Sequence, residues 1–125
     1  MSVAAAWIAV AMLAALAVLQ AGVAAGRPWG RLVWGGRHRV LPRRLRIGSV
    51  LSVLLYAAFA WLLLARAGVL AGGDSAFVVV ATWVLLGYFS LGVLMNLASR
   101  SPAERWTMTP ACAVLAAATL LVALG

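Results

Sequence analysis

Residues 3–25, 47–65 and 76–98 contain no Asp, Glu, Lys or Arg, and neither does the run 106–124. At 1.5 Å of rise per residue, about 20 helical residues cross the roughly 30 Å hydrocarbon core of a bilayer. Each run is about that long, so each reads as a membrane span. The composition agrees, with 66% hydrophobic residues and only two acids in 125, and a mean hydropathy of +1.10. Soluble domains hold about 45–50% apolar residues, and two acids cannot give such a surface its usual charge. The fold expected is all-α, an integral membrane four-helix bundle forming one domain over residues 1–125. Its spans are expected at about 3–25, 47–65, 76–98 and 103–124.

The first run is read as a retained span rather than a signal peptide. No basic residue precedes it, and it exceeds an h-region of about 7–15 residues. Gly22 and Gly26 have the GxxxG spacing that suits close approach by another helix, although Gly26 also suits a helix terminator. The last span needs residues 106–109 to reach full length. Pro110 is expected to kink that helix or to restart it with Thr109 as a second cap.

Polar character is concentrated in residues 26–46, which hold seven of the ten arginines and the single histidine. Glycines and prolines argue against one continuous helix there. Trp29, Leu32, Val33 and Trp34 alternate with arginines, as in a segment lying in the headgroup layer. Four spans put loops 26–46 and 99–105 on one face, with loop 66–75 and both termini on the other. The first face carries nine arginines and one glutamate, the second one charge of each sign. The positive-inside rule therefore expects cytoplasmic basic loops and both termini outside, in the cell (cytoplasmic) membrane. The same rule accounts for the net charge of +8 without nucleic acid as a partner.

Helix-end signals are local. Pro42 suits the first turn of the second helix, and Asp74 with Ser75 suits an N-cap of the third. Ser101, Pro102 and Glu104 fit a capping box for the fourth.

The one polar constellation is the basic mouth of the bundle. Gln20, Asn96, Arg100, Glu104 and Arg105 fall at similar depth, with Trp34, His38, Arg43, Arg44 and Arg46 in the loop able to fold over them. Guanidinium forks match phosphate oxygens, so these ten residues are the candidate site for an anionic group such as a phospholipid headgroup. The competing explanation is structural: positive-inside arginines, a capping box, and amides bonding backbone freed at helix ends.

His38 with Glu104 is the only pairing that suggests acid–base chemistry, as in a lipid-modifying enzyme. One His, one Cys and two acids do not supply three or four metal ligands, and no cofactor is expected. Cys112, the single cysteine, falls in an apolar run where a thiol behaves as a small hydrophobe. A proton-coupled transporter would keep an ionisable group within the membrane, whereas Asp74 and Glu104 both read as interfacial caps. The glycine-rich, Arg-containing first helix and polar third-helix break of small fluoride channels are absent. Tyr56, Thr82, Tyr88 and Ser90 are hydroxyls that could line an apolar pocket or bond between helices.

Gly-Arg-Pro-Trp-Gly at 26–30, Trp-Gly-Gly at 34–36, Leu-Pro at 41–42, Leu-Arg-Ile-Gly-Ser at 45–49, and Asn96 followed by Ser-Arg-Ser-Pro-Ala-Glu-Arg at 99–105 form a pattern. It resembles a group of small bacterial four-span membrane proteins without an assigned activity. The resemblance implies the same fold and topology and carries over no catalytic residue, ligand or partner. The leading expectation is a non-enzymatic membrane protein whose Arg/Trp face binds anionic lipid or a larger membrane-protein partner in an accessory or assembly role. The alternatives are a homo-oligomeric transporter or channel for a small solute, and the lipid-modifying enzyme.

Overall fold

The computed structural model describes residues 2–125. It contains four long helices and, among the described residues, no strand: α1 (Ser2–Ala24), α2 (Arg43–Arg66), α3 (Ala76–Leu97) and α4 (Pro102–Leu124). Two short 3-10 turns, Gly30–Leu32 and Trp34–Gly36, punctuate the α1–α2 connection. All four helices are long and apolar enough to cross a membrane. This is a multi-pass membrane protein with an all-α bundle fold.

The helices pack around the ring α2–α1–α4–α3. Helix α1 runs along α2 and α4, α3 runs along α4, and α2 and α3 meet only sparsely, which leaves a seam between them. The interior is built from small residues, including Ala5, Ala6, Ala9, Ala65, Ala111 and Ala118, with Leu13, Leu63, Leu115 and Val122 as the larger fillers. Lipid tails are as apolar as leucine, so such helices associate through close packing, which small residues permit. The large apolar side chains point outward instead: Ile8, Val18, Leu54, Phe77, Val84, Leu94 and Met95 are all more than half exposed. A surface of that kind suits hydrocarbon rather than water.

Helix ends explain the connections. At the end of α1, Gly26 has φ +95°, the Gly26 amide donates to the Val23 carbonyl at 3.2 Å, and the Arg27 amide donates to the Gly22 carbonyl at 3.0 Å. These are the paired bonds of a Schellman stop, for which a left-handed glycine is preferred. Gly22 is approached not by another helix but by the Trp29 indole, which occupies the space a methyl group would need. Ser75, rather than the preceding Asp74, caps α3 by accepting from the Val78 amide, and Ser101 caps α4 by accepting from the Glu104 amide. Helix α2 has no side-chain cap and begins at Arg43, four residues before the expected start of the span. Arg43, Arg44 and Arg46 therefore lie in its first turn, where the helix dipole disfavours cations.

Helix α4 runs through Pro110 without restarting. Thr109 is thus an interior residue whose hydroxyl lacks a partner, not a second cap. In hydrocarbon a broken helix would strand several more backbone groups than the one bond a proline removes, so continuity wins.

Both termini lie at one end of the bundle, with Ser2 beside Gly125. Arg66 at that end donates to the Ala123 carbonyl at 3.5 Å. The other end carries the remaining arginines, and is here called the basic end.

Candidate functional site

The α1–α2 connection is a folded cap, not a strand of chain lying flat. Val33 and Leu41 are buried with Val23 in a small apolar cluster of their own. The Gly30 amide donates to the Arg39 carbonyl at 2.8 Å, closing the loop on itself, with the His38 carbonyl against Gly30. Three further bonds tie the cap to the bundle. The Trp34 indole Nε1 donates to Ser49 Oγ at 3.0 Å. The Gly35 amide donates to Glu104 Oε2 at 3.2 Å, and Ser101 Oγ donates to the Arg31 carbonyl at 2.7 Å.

This geometry revises two expectations for the loop. Val33 is core rather than headgroup-facing. Trp34 is half-exposed, but its ring lies on Gly48, where an added methyl group would stand 2.7 Å away. Trp34 is also the one non-glycine residue with positive φ (+53°) among the described residues, followed by Gly35 at +77° and Gly36 at +70°. A bulky residue in that region costs of order 1–3 kcal/mol and persists where its surroundings fix it. Here the indole bond and the Gly35 amide bond do so.

The capping box is half formed. Ser101 accepts from the Glu104 amide at 3.3 Å, but the Ser101 amide donates to Ser99 Oγ instead of to Glu104. The Glu104 carboxylate turns inward to Gly35 and is 7% exposed. Glu104 keeps its place in the first turn of α4, but its carboxylate bonds a distant amide rather than the Ser101 amide that would complete the box.

Beneath the cap, between α2 and α3, lies a cleft of about 340 Å³. Its lining includes Trp34 and Glu104, the polar side chains of Gln20, Ser52, Tyr56, Asn96 and Cys112, and the apolar Leu16, Met108 and Leu115. Asn96 Nδ2 donates to Cys112 Sγ at 3.2 Å, and Ser52 donates to the Gly48 carbonyl. Gln20 is 7% exposed, and its Oε1 accepts no hydrogen bond. Further along the seam lies a wholly apolar groove of about 680 Å³, lined by residues such as Phe59, Phe77, Val80 and Val84. Tyr88 belongs to both linings. It joins an aromatic cluster with Phe59 (5.5 Å between centroids) and Phe89, which meets Phe59 edge-on at 89°.

Of the ten candidate residues, the cleft brings together Gln20, Trp34, Asn96 and Glu104. The other six lie outside its lining. Arg43, Arg44 and Arg100 are exposed, and His38 is half-buried in the cap. The Arg46 guanidinium lies against Gly26. Arg105 donates to the Ser99 carbonyl at 3.2 Å and sits 5.4 Å from the Trp106 ring centre. Of the four hydroxyls, Tyr56 and Tyr88 reach the cleft, while buried Thr82 bonds the Val78 carbonyl within its own helix and Ser90 is exposed.

Ser52 and Cys112 were not anticipated. A signal for them exists in helical phase: Ser52–Tyr56, Tyr88–Gly92–Asn96 and Glu104–Met108–Cys112 are i, i+4 ladders, each on one helix face. Among the described residues no three of His, Cys, Asp and Glu converge as metal ligands. Family models, curated proteins and solved structures give no match to this chain.

Proposed function

We propose that this is a bacterial cytoplasmic-membrane protein, both termini outside, whose basic end binds the headgroups of anionic lipids in a non-enzymatic accessory or assembly role. A larger membrane protein is the partner such a role implies. The observation that carries this reading is the fixed cap. Arg27, Arg31, Arg37, Arg39, Arg43, Arg44 and Arg100 are all exposed, and the connection that holds most of them is bonded to α2 and α4 rather than free. An ordered array loses less conformational entropy on binding than a flexible basic tail. Each cation near an anionic surface contributes about 1 kcal/mol. The uncapped start of α2 supports the same reading, since its free amides and Arg43 and Arg44 together attract phosphate.

Native mass spectrometry of the detergent-purified chain with phosphatidylglycerol tests it. Retained anionic lipid, lost on combining Arg43→Ala with Arg44→Ala, is the expected result. Absence of anionic lipid, or unchanged retention in the double variant, overturns it.

A second reading, transport of a small solute by a homo-oligomer, is favoured by one observation: Glu104 is buried in the cleft lining, and such proteins use an ionisable group inside the bundle. Solute flux into proteoliposomes, abolished by Glu104→Gln, is its test. The enzyme reading would need His38 brought to Glu104, and His38 is not in the cleft lining.

A further inference from the structure

The exposed arginines address anions, but the cleft beneath them has the opposite character. The one charged residue in its lining is Glu104. One carboxylate oxygen takes the Gly35 amide, and a carboxylate has room for about four hydrogen bonds in all. Gln20 is nine-tenths buried in the same lining, and its Oε1 is closed to solvent and without a hydrogen-bond partner. An orphaned buried carbonyl of this kind costs free energy until a donor reaches it. Asn96 spends its amide donor on Cys112, leaving its oxygen as an acceptor. The lining thus carries one carboxylate and several further acceptors, together with the side chains of Trp34 and Tyr56.

We infer that the cleft binds the primary ammonium head of an amphiphile, held by Glu104 and, once its side chain turns toward the head, by the Gln20 carbonyl, with its apolar chain in the adjoining α2–α3 groove. An ammonium group offers three N–H donors to acceptors that lack them. The groove continues from Tyr88 toward Phe77, and eleven residues of helix correspond to about 16 Å of apolar channel. The exposed arginines would repel a cation arriving from water. The ligand therefore enters sideways from the bilayer, through the sparse α2–α3 contact. This inference does not depend on the anionic-lipid reading, which rests on different residues.

The test is native mass spectrometry of the full chain with phosphatidylethanolamine, phosphatidylcholine, phosphatidylglycerol and dodecylamine, each supplied separately and then in competition. One phosphatidylethanolamine or one dodecylamine should be retained per chain. Phosphatidylcholine, whose trimethylammonium has no N–H, should bind about tenfold more weakly or less. Glu104→Gln keeps an acceptor for Gly35, and Gln20→Met keeps the side-chain length. Each should weaken amine binding about tenfold with unchanged helical circular dichroism. Gln20→Glu, which adds a second carboxylate, should strengthen it, and this gain cannot come from misfolding. Phosphatidylethanolamine displaced by dodecylamine only in large excess assigns a bilayer lipid, and the reverse order assigns a soluble lipophilic amine. Equal retention of phosphatidylcholine, retention of neither amine, or loss of binding only in Arg43→Ala plus Arg44→Ala overturns the inference.

Discussion

The Gly35 amide and the Glu104 carboxylate, 69 residues apart, meet at 3.2 Å. That bond joins the α1–α2 cap to the first turn of α4, and it turns one of the chain's two acids away from the basic surface and into the cleft. Its second consequence is conformational, because it holds the backbone next to Trp34, whose φ is +53°. Cap and cleft are therefore one structure, and disturbing either is felt by the other.

Replacing Glu104 separates these roles. Glu104→Ala removes the charged acceptor of the Gly35 amide and should destabilise the protein by about 1–3 kcal/mol, with faster hydrogen exchange across residues 30–40. Glu104→Gln retains an acceptor and should leave exchange close to that of the native protein. Equal exchange in all three would mean that the bond does not hold the cap.

Two glycines make an internal comparison. A methyl group on Gly48 meets the Trp34 ring at 2.7 Å, whereas Gly87 has nothing within 4 Å. Gly48→Ala should displace the indole from Ser49, shift tryptophan emission, and cost about 1–3 kcal/mol as overpacking. Gly87→Ala should be neutral or stabilising, because alanine is favoured over glycine in a helix by up to about 1 kcal/mol. Thermal unfolding in detergent with fluorescence detection reads both.

Much of this arrangement is written locally in the chain. The four spans follow from uncharged runs, the α3 and α4 starts from Ser75 and Ser101, and the α1 stop from Gly26, because each signal acts within a turn of helix. The cap is not legible in that way. Its bonds pair Trp34 with Ser49, Arg31 with Ser101 and Gly35 with Glu104, and no local pattern encodes such partners. Glu104 shows the failure most plainly: its spacing from Ser101 satisfies a capping box, yet a distant amide claims the carboxylate. The early start of α2 has a related cause. Long arginine stems let a helix begin before its uncharged run does, so the charge boundary and the helix boundary differ.

Pro110 lies within an unbroken α4 and is exposed. Pro110→Ala should restore one backbone bond without moving neighbours. The expected gain is below the roughly 3 kcal/mol that an interior proline costs in water, since lipid-embedded helices partly re-satisfy the freed group. A higher unfolding temperature in detergent is the expected result. A large loss would show that the proline shapes the α3–α4 contact.

Binding to anionic vesicles through the exposed arginines should weaken as salt rises, because the screening length falls from about 10 Å at 0.1 M to about 3 Å at 1 M. Sedimentation with phosphatidylglycerol vesicles across that range measures it. A salt-independent signal would assign the interaction to apolar insertion instead.

The role proposed for the basic end depends on which side of the membrane the arginines occupy, and cysteine accessibility in intact cells reads that directly. In a Cys112→Ala background, His38→Cys should resist a membrane-impermeant maleimide until the cells are broken, while Val69→Cys at the opposite end should react at once. Reaction of the residue-38 thiol in unbroken cells, with protection at residue 69, would place the basic end outside and contradict the proposed function.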